Sequence, residues 1–375
     1  MRIPFLDLAA QHDEVAAEAL AALTRVASGG VYVLAGEVAA FEEEWARYCG
    51  VTAAAGTGTG TDALALALQA SGAVRPGRQD EVITSTLTAA YTGLAILSAG
   101  GLPVFCDIDP QTLTLDPQSI ECAITPRTRA IVPVHLYGRM ADMNAICDVA
   151  ARHNLLVIED AAQAHGARLK ERRAGAHSHA AAFSFYPTKN LGAYGDGGAV
   201  VSNDAELIEK VKILRQGGHA PALTAHIEGR NSRLDEMQAA LLRVKLKRLD
   251  EWNRRRRRLA DFYHESFHEK TRLQVPRGSE PGSHVYHLYV VQHEERDALR
   301  VHIAGRGIET MIHYPYLLHQ QPLFKRGRSL STAEHVAKRI LSLPLNPQLK
   351  ISDAEKIVEA IIEFDKRKVR KRAAG

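Results

Sequence analysis

The chain has little cysteine, little tryptophan and no long apolar run. Its 375 residues include four cysteines, two tryptophans and 6% aromatics. Cys49, Cys106, Cys122 and Cys147 form no C-x-x-C pair and have no nearby paired histidine. That excludes a disulfide framework, argues against a metal site, and leaves them as small core residues. No run approaches the roughly 18 uncharged residues of a membrane span. The N-terminus, MRIPFLDLAAQHDEV, lacks a signal-peptide core and carries acids early, which points to a cytoplasmic protein with no membrane partner. Net charge is also scarce. Removing the six positive charges of residues 366–372 (KRKVRKR) turns +4 into −2, so the excess lies in a C-terminal basic tail expected to fray. Arg254–Arg258 are five consecutive arginines in an expected helix. They point all round its axis and read as solvated or salt-bridged surface, so no nucleic-acid partner is expected.

What is present is the composition of a globular protein, 46% hydrophobic and 24% charged. The length suits two to three domains. Strand-like and helix-like segments alternate from about residue 50 to 245. Strands are expected at 81–85, 102–107, 129–134, 155–159, 181–185 and 198–202, after a weak first strand, VTAAA. Helices are expected at 60–71, 89–99, 141–153 and 204–215. Short continuous apolar runs separated by helices suit a mostly parallel sheet covered on both faces, an α/β fold. Residues 233–267 read as one long helix. A smaller unit follows, with a strand at 285–292 and helices at 295–306, 332–341 and 352–368. The expected domains are 1–248 and 249–375.

In open α/β sheets ligands sit at the carboxyl ends of the strands. Three segments there carry chemistry. GTGTGTDAL (56–64) is a glycine-rich turn opening a helix, whose free N–H groups and dipole favour a phosphate. A plain structural turn and a relaxed dinucleotide fingerprint, Gly58-x-Gly60-x-x-Ala63 with Asp80 or Glu81 as its acid, remain open there. LLVIEDAAQAHGA (155–167) puts Asp160 one residue past an apolar strand, followed by Gln163 and His165. Asp160 reads either as a helix cap or as a carboxylate facing a ligand cation. AAFSFYPTKNLGAYGDGGAVVSN (181–203) places Lys189 among glycines and aromatics, five residues after Ser184. A lysine held this way has a depressed pKa and can form a Schiff base with an aldehyde. Together the cradle, the acid and the amine are what pyridoxal 5′-phosphate (PLP) needs for its phosphate, ring nitrogen and aldehyde.

Ordered segments extend the pattern: PFLDLAAQ (4–11), GTDALALAL (60–68), DIDPQTLTLDP (107–117), VHLYGRMADM (134–143), EDAAQAHGA (159–167), FSFYPTKNLGAYGDGGAVV (183–201), NSRLDEMQAALL (231–242) and HYPYLLHQQPLF (313–324). In these the sequence resembles the DegT/DnrJ/EryC1/StrS family of sugar aminotransferases over almost its whole length. The resemblance implies a three-layer fold-type I PLP-dependent transferase, aspartate aminotransferase-like, with a smaller C-terminal α+β domain. It implies that Lys189 carries the Schiff base and moves the proton, and that Asp160 pairs with the ring nitrogen. Gln163 would lie near the ring's phenolic oxygen, and Ser184 with the N–H groups of Gly60 and Thr61 would hold the phosphate. Asn231 would reach a neighbouring subunit's phosphate, since the family shares its sites across a homodimer. Tyr186, His313 and Tyr314 would line the sugar pocket.

Three positions depart from the family pattern. Thr59 stands where asparagine is frequent, and Gln216-Gly217-Gly218 after Arg215 where Asn-Tyr-Gly is common. Ala89 stands where many members stack an aromatic ring on the cofactor, with Tyr91 two residues on. Lys189 argues against the dehydrating branch that uses histidine, and the scattered cysteines against the iron–sulfur branch. The resemblance implies transfer of an amino group from L-glutamate to a nucleotide-linked keto-sugar. Gly307-Ile308-Glu309-Thr310 followed by HYPYLLHQQ favours C3 amination of a dTDP-linked 3-keto-6-deoxyhexose. A UDP-linked 3-keto-sugar and a 4-keto-sugar remain alternatives, as do an NAD(P)-dependent oxidoreductase and a non-catalytic PLP-binding regulatory protein.

Overall fold

The computed structural model describes residues 2–75, 77–220, 224–225, 227–276, 280–324 and 329–373, without the side chains of 219, 220, 224, 225 and 367–373. Three helices open the chain: α1 (Leu8–Asp13), α2 (Ala16–Gly29) and α3 (Gly36–Cys49). Gly30 and Gly50, both left-handed, end the last two. The sequence reading had none of the three.

A seven-stranded sheet follows. Its strands are β1 (Ala53–Thr57), β2 (Glu81–Ser85), β3 (Leu102–Cys106), β4 (Thr128–Val132), β5 (Leu156–Asp160), β6 (Ala180–Ser184) and β7 (Gly198–Ser202). Their spatial order is β1-β7-β6-β5-β4-β2-β3, and only β7 runs against the rest. Alternation splits each strand between two cores. Ile83, Val157, Ala181 and Phe183 face the cluster around Phe41 and Trp45 of α3. Val82, Ile158, Ala180 and Ala182 face the cluster around helices α4 (Gly60–Ala70) and α5 (Ala90–Ser98). Helices on both faces make three layers. In α4 every residue from Ala63 to Leu68 is buried, as expected of a helix apolar all round.

Further helices are α6 (Met143–Arg152) and α7 (Ala205–Leu214). Asp142 and Asp204 cap them by accepting backbone N–H bonds. The expected long helix 233–267 is two helices, α8 (Glu236–Leu246) and α9 (Leu249–Phe267). The small unit pairs β8 (Tyr289–Gln292) with β9 (Ile340–Leu343) antiparallel. It packs them with α9, α10 (Arg296–Ala304) and α12 (Ile351–Ala373).

Several expectations need correction. The strand at 285–292 starts only at Tyr289. The helix at 332–341 stops at Ala337 as α11 (Ser331–Ala337), and its apolar end Ile340–Leu343 is β9, because β8 offers it a partner. The backbone of the basic tail is the last part of α12, not frayed chain. Arg254 and Arg255 pair with Glu251 and Glu14. Arg256 does not fit the surface reading: it is 2% exposed and donates to the carbonyls of Tyr286 and Leu345. Cys49 and Cys106 are buried, whereas Cys122 is exposed and so is not a core residue.

Candidate active site

The parallel strands deliver the candidate residues to one end of the sheet. β5 ends at Asp160 and β6 at Ser184, and the loop from β6 to β7 carries Lys189. β1 leads through Gly58 and Thr59 into α4, and Thr59 caps that helix by accepting the Asp62 N–H at 3.0 Å. Gly60, first in α4, lies against Ser184. A Cβ on Gly60 would come within 2.5 Å of Ser184 Cβ, so only glycine lets the helix end and β6 meet. Gly198 likewise leaves room for the Thr59 carbonyl, 2.4 Å from where its Cβ would be. The N-terminus of α4 and the Ser184 hydroxyl thus share one cradle.

Asp160 is nearly buried, at 8% exposure. Its Oδ2 accepts from Thr92 Oγ1 at 2.8 Å and its Oδ1 from the Ala162 N–H at 3.2 Å. Thr92, in the first turn of α5, is not among the expected site residues, because Ala89 and Tyr91 are what stand out in that segment. Lys189 is half-buried. Burial lowers its ammonium to about 8, and the nearby Asp160 charge opposes that shift. Burial and the Lys189 charge also lower His165 to about 3 and His313 to about 4, so both imidazoles are neutral at pH 7.

Gln163 joins this group. Its Oε1 accepts the Tyr137 N–H at 2.6 Å and its Nε2 donates to Tyr314 Oη at 3.0 Å. His313 Nδ1 contacts Ser342 Oγ at 2.8 Å. The fold therefore gathers Lys189, Asp160, Gln163, Ser184, Gly60, His313 and Tyr314. Thr61 follows Gly60 in the first turn of α4, partly covered. Tyr186, three residues before Lys189, is half exposed. Asn231 is exposed, beside Arg230 and Ser232, which both hold Asp62 of α4. Ala89 immediately precedes α5 and offers no ring, and Tyr91 is 66% exposed.

The dinucleotide alternative loses its acid. Asp80 accepts from Arg75 Nε at 2.9 Å and Nη2 at 2.7 Å, which pulls it to about 2, and Glu81 accepts from Arg127 and Thr125. Both stand at the start of β2, the end of the sheet opposite the cradle.

Comparison with known proteins decides the family. The DegT/DnrJ/EryC1/StrS aminotransferase family model matches residues 13–362. The chain belongs to this family. It is 46% identical over 370 residues to a dTDP-3-amino-3,4,6-trideoxy-alpha-D-glucose transaminase of Streptomyces venezuelae, covering 98% of this chain and 97% of that one. The solved structure of S. venezuelae DesV superimposes with a TM-score of 0.94 at 46% identity, over 97% of this chain and 98% of that one. NtdA of Bacillus subtilis, solved with bound pyridoxamine phosphate (PMP), superimposes with a TM-score of 0.91 at 33% identity, over 97% of this chain and 85% of that one. The fold is that of the fold-type I aminotransferases.

DegT/DnrJ/EryC1/StrS aminotransferases work with PLP. The residues present fit that group. A glycine-lined helix terminus beside a serine suits its phosphate, a carboxylate with lone pairs to spare suits its ring nitrogen, and an amine of lowered pKa suits its aldehyde.

Proposed function

We propose that the protein moves an amino group from L-glutamate to the C3 keto group of a nucleotide-linked sugar, a dTDP-linked 3-keto-6-deoxyhexose. The observation that carries the reaction is that Asp160, Ser184 and the loop of Lys189 meet at the ends of the adjacent strands β5 and β6, against the N-terminus of α4. The sugar class is supported by relatives. Besides the S. venezuelae transaminase, a 42% identical protein of Aneurinibacillus thermoaerophilus is a dTDP-3-amino-3,6-dideoxy-alpha-D-galactopyranose transaminase.

Gly60, Thr61 and Ser184 hold the phosphate through backbone N–H groups and the serine hydroxyl. Asp160, kept in place by Thr92 and Ala162, faces the ring nitrogen. Gln163 would serve the ring's oxygen side, and Ala89 would give the ring no aromatic cover. When bound, PLP supplies an aldehyde for the amino nitrogen and a ring that spreads the charge developing at the substrate carbon. With its amine free, Lys189 would carry the proton from the glutamate carbon to the cofactor and, in the sugar stage, from the cofactor to the sugar carbon. A base of pKa near the working pH suits both directions. The neutral His313, with Tyr314 and Tyr186, lines the sugar pocket.

The protein acts in the cytoplasm as a homodimer with shared sites, Asn231 serving the neighbouring subunit. Exposed Leu20, Val31, Tyr32 and Val33 on and after α2 support an apolar contact face. The break between α8 and α9 supports the division into 1–248 and 249–375.

The test is to load the purified protein with PLP, add L-glutamate, and follow formation of 2-oxoglutarate and then the aminated product across a panel of nucleotide-linked keto-sugars. Turnover fastest with a dTDP-linked 3-keto-sugar is the expected result. Turnover confined to 4-keto-sugars would refute the C3 assignment, and no 2-oxoglutarate would refute the reaction.

A further inference from the structure

Tyr137 touches three parts of the site without belonging to any role assigned above. It is 4% exposed and left-handed, with φ 60° and ψ 10°. A side chain with a Cβ is strained there, and such strain gathers at functional sites. Its N–H donates to Gln163 Oε1 at 2.6 Å, its hydroxyl donates to the His313 carbonyl, and its carbonyl accepts the Leu288 N–H at 3.2 Å. One residue thus ties the β5 loop to two segments of the small unit.

The direction of these bonds has a chemical result. A backbone N–H can only donate, so Gln163 must turn its oxygen toward Tyr137. Its amide nitrogen, which also only donates, then faces Tyr314 Oη at 3.0 Å. The phenol oxygen of Tyr314 accepts that bond, and its own proton is left over. No acceptor for it exists among the described residues. Tyr314 is half-buried and bonded to Gln163, three residues after Asp160 at the end of β5, so the spare proton is available to a ligand at that strand end.

We propose that Tyr137 is a positioning residue that fixes the direction of hydrogen bonding along Gln163, so that Tyr314 serves the pocket as a donor to an oxygen of the sugar substrate. The sugar as acceptor rests on the function proposed above; the direction of the bonds does not. A glutamine reversed in this position would take the Tyr314 proton and leave the pocket with an acceptor where the substrate presents another.

Two measurements test it separately. A neutron structure of the PLP-loaded protein is expected to show deuterons on Gln163 Nε2 toward Tyr314 and on Tyr314 pointing away from Gln163. A Tyr314 deuteron lying on Gln163 overturns the proposal whatever the substrate is. Kinetics test the role. Y314F is expected to lower kcat/KM for the keto-sugar about tenfold more than for glutamate, the worth of one directed hydrogen bond. Q163E still accepts from Tyr137 but also draws the Tyr314 proton; because Gln163 also serves the cofactor it should slow both half-reactions, with the sugar one slowed about tenfold more, and adding Y314F should not widen that gap. Equal losses for sugar and glutamate in Y314F, or a sugar-over-glutamate gap that widens in the double variant, overturn the role. A wild-type protein inert toward every keto-sugar, with the deuterons placed as expected, refutes the proposed function and with it the sugar as acceptor, but not the bond direction.

Discussion

Glu159 and Asp160 are neighbours at the end of β5, yet they face opposite sides of the sheet and do opposite things. Glu159 is fully buried. It accepts from His135 Nε2 at 2.8 Å, the Gly175 N–H at 2.8 Å, the His177 N–H at 3.1 Å and Ser178 Oγ at 2.8 Å. His135 in turn accepts the Ala141 N–H on Nδ1, so the proton it gives to Glu159 is its own. Nothing is left over for a ligand. Asp160 has two donors and lone pairs to spare on the pocket side. Two carboxylates of similar burial thus differ in how completely the protein itself satisfies them. A saturated acid holds loops together, whereas an unsaturated one is available to chemistry.

This contrast can be broken or sharpened in several ways. On the pocket face, K189A is expected to lower turnover on the order of 10⁴-fold or more, since it removes both the attachment point and the proton carrier. D160N is expected to cost about 10²- to 10³-fold, the scale of losing one preorganised charge, with little change in thermal stability. On the opposite face the pattern should invert. E159A is expected to cost about 3–5 kcal/mol of stability by leaving His135 and three other donors buried without an acceptor. Denaturant unfolding measures it, and the surviving folded fraction should keep most of its specific activity. If E159A proved stable but inactive, the division between the two acids would be wrong.

Titration separates the faces more finely. Burial pushes the Glu159 carboxyl up, but the His135 hydrogen bond, with the other donors, holds it below the usual range. Its folded pKa is depressed, so its contribution is complete above the unfolded value of about 4.3 and is lost as pH falls below it. Wild type should therefore lose stability on acidification through that range more steeply than E159Q. On the pocket face only the free amine of Lys189 condenses with an aldehyde, so uptake of PLP by the cofactor-free protein should quicken as pH rises through about 8. A flat rate between pH 7 and 9 would contradict the lowered amine. The smallest effect concerns the exposed arginines. R254A should stay within about 0.5 kcal/mol of wild type, as surface changes do, whereas R256A should be plainly destabilised.

Much of the site was legible because its chemistry is written in residue types at strand ends. Lys189 among glycines, Asp160 after an apolar strand and the glycines opening α4 each announce a function before any coordinates. Gln163, Asn231 and the residues proposed for the sugar pocket came only through resemblance. Tyr137 sits in one of the resembling segments but announces no role, because much of its part is played by a backbone N–H and a left-handed turn. Arg256 looked like its exposed neighbours, since its burial depends on carbonyls 30 and 89 residues away. Lys245 misleads in the other direction. It too is lowered to about 8 by burial, but its ammonium donates to the Gly192 carbonyl at 2.5 Å beneath the Lys189 loop. A perturbed lysine is therefore not enough to mark the reactive one. β9 escaped because it is set by a partner distant in sequence.

The antiparallel course of β7 has a consequence for how this enzyme can vary. Ser184 pairs with Gly198, so the segment carrying Lys189 leaves and re-enters the sheet on a single rung. Both of its anchors are already built into the architecture before the intervening residues are chosen. The length of that segment is not free to vary, because Phe185, Leu191 and Ala193 are buried within it and Asn190 is bonded to Asn253 and Val285; variation in the reach of the Lys189 amine has to come from its exposed positions, such as Tyr186 and Tyr194.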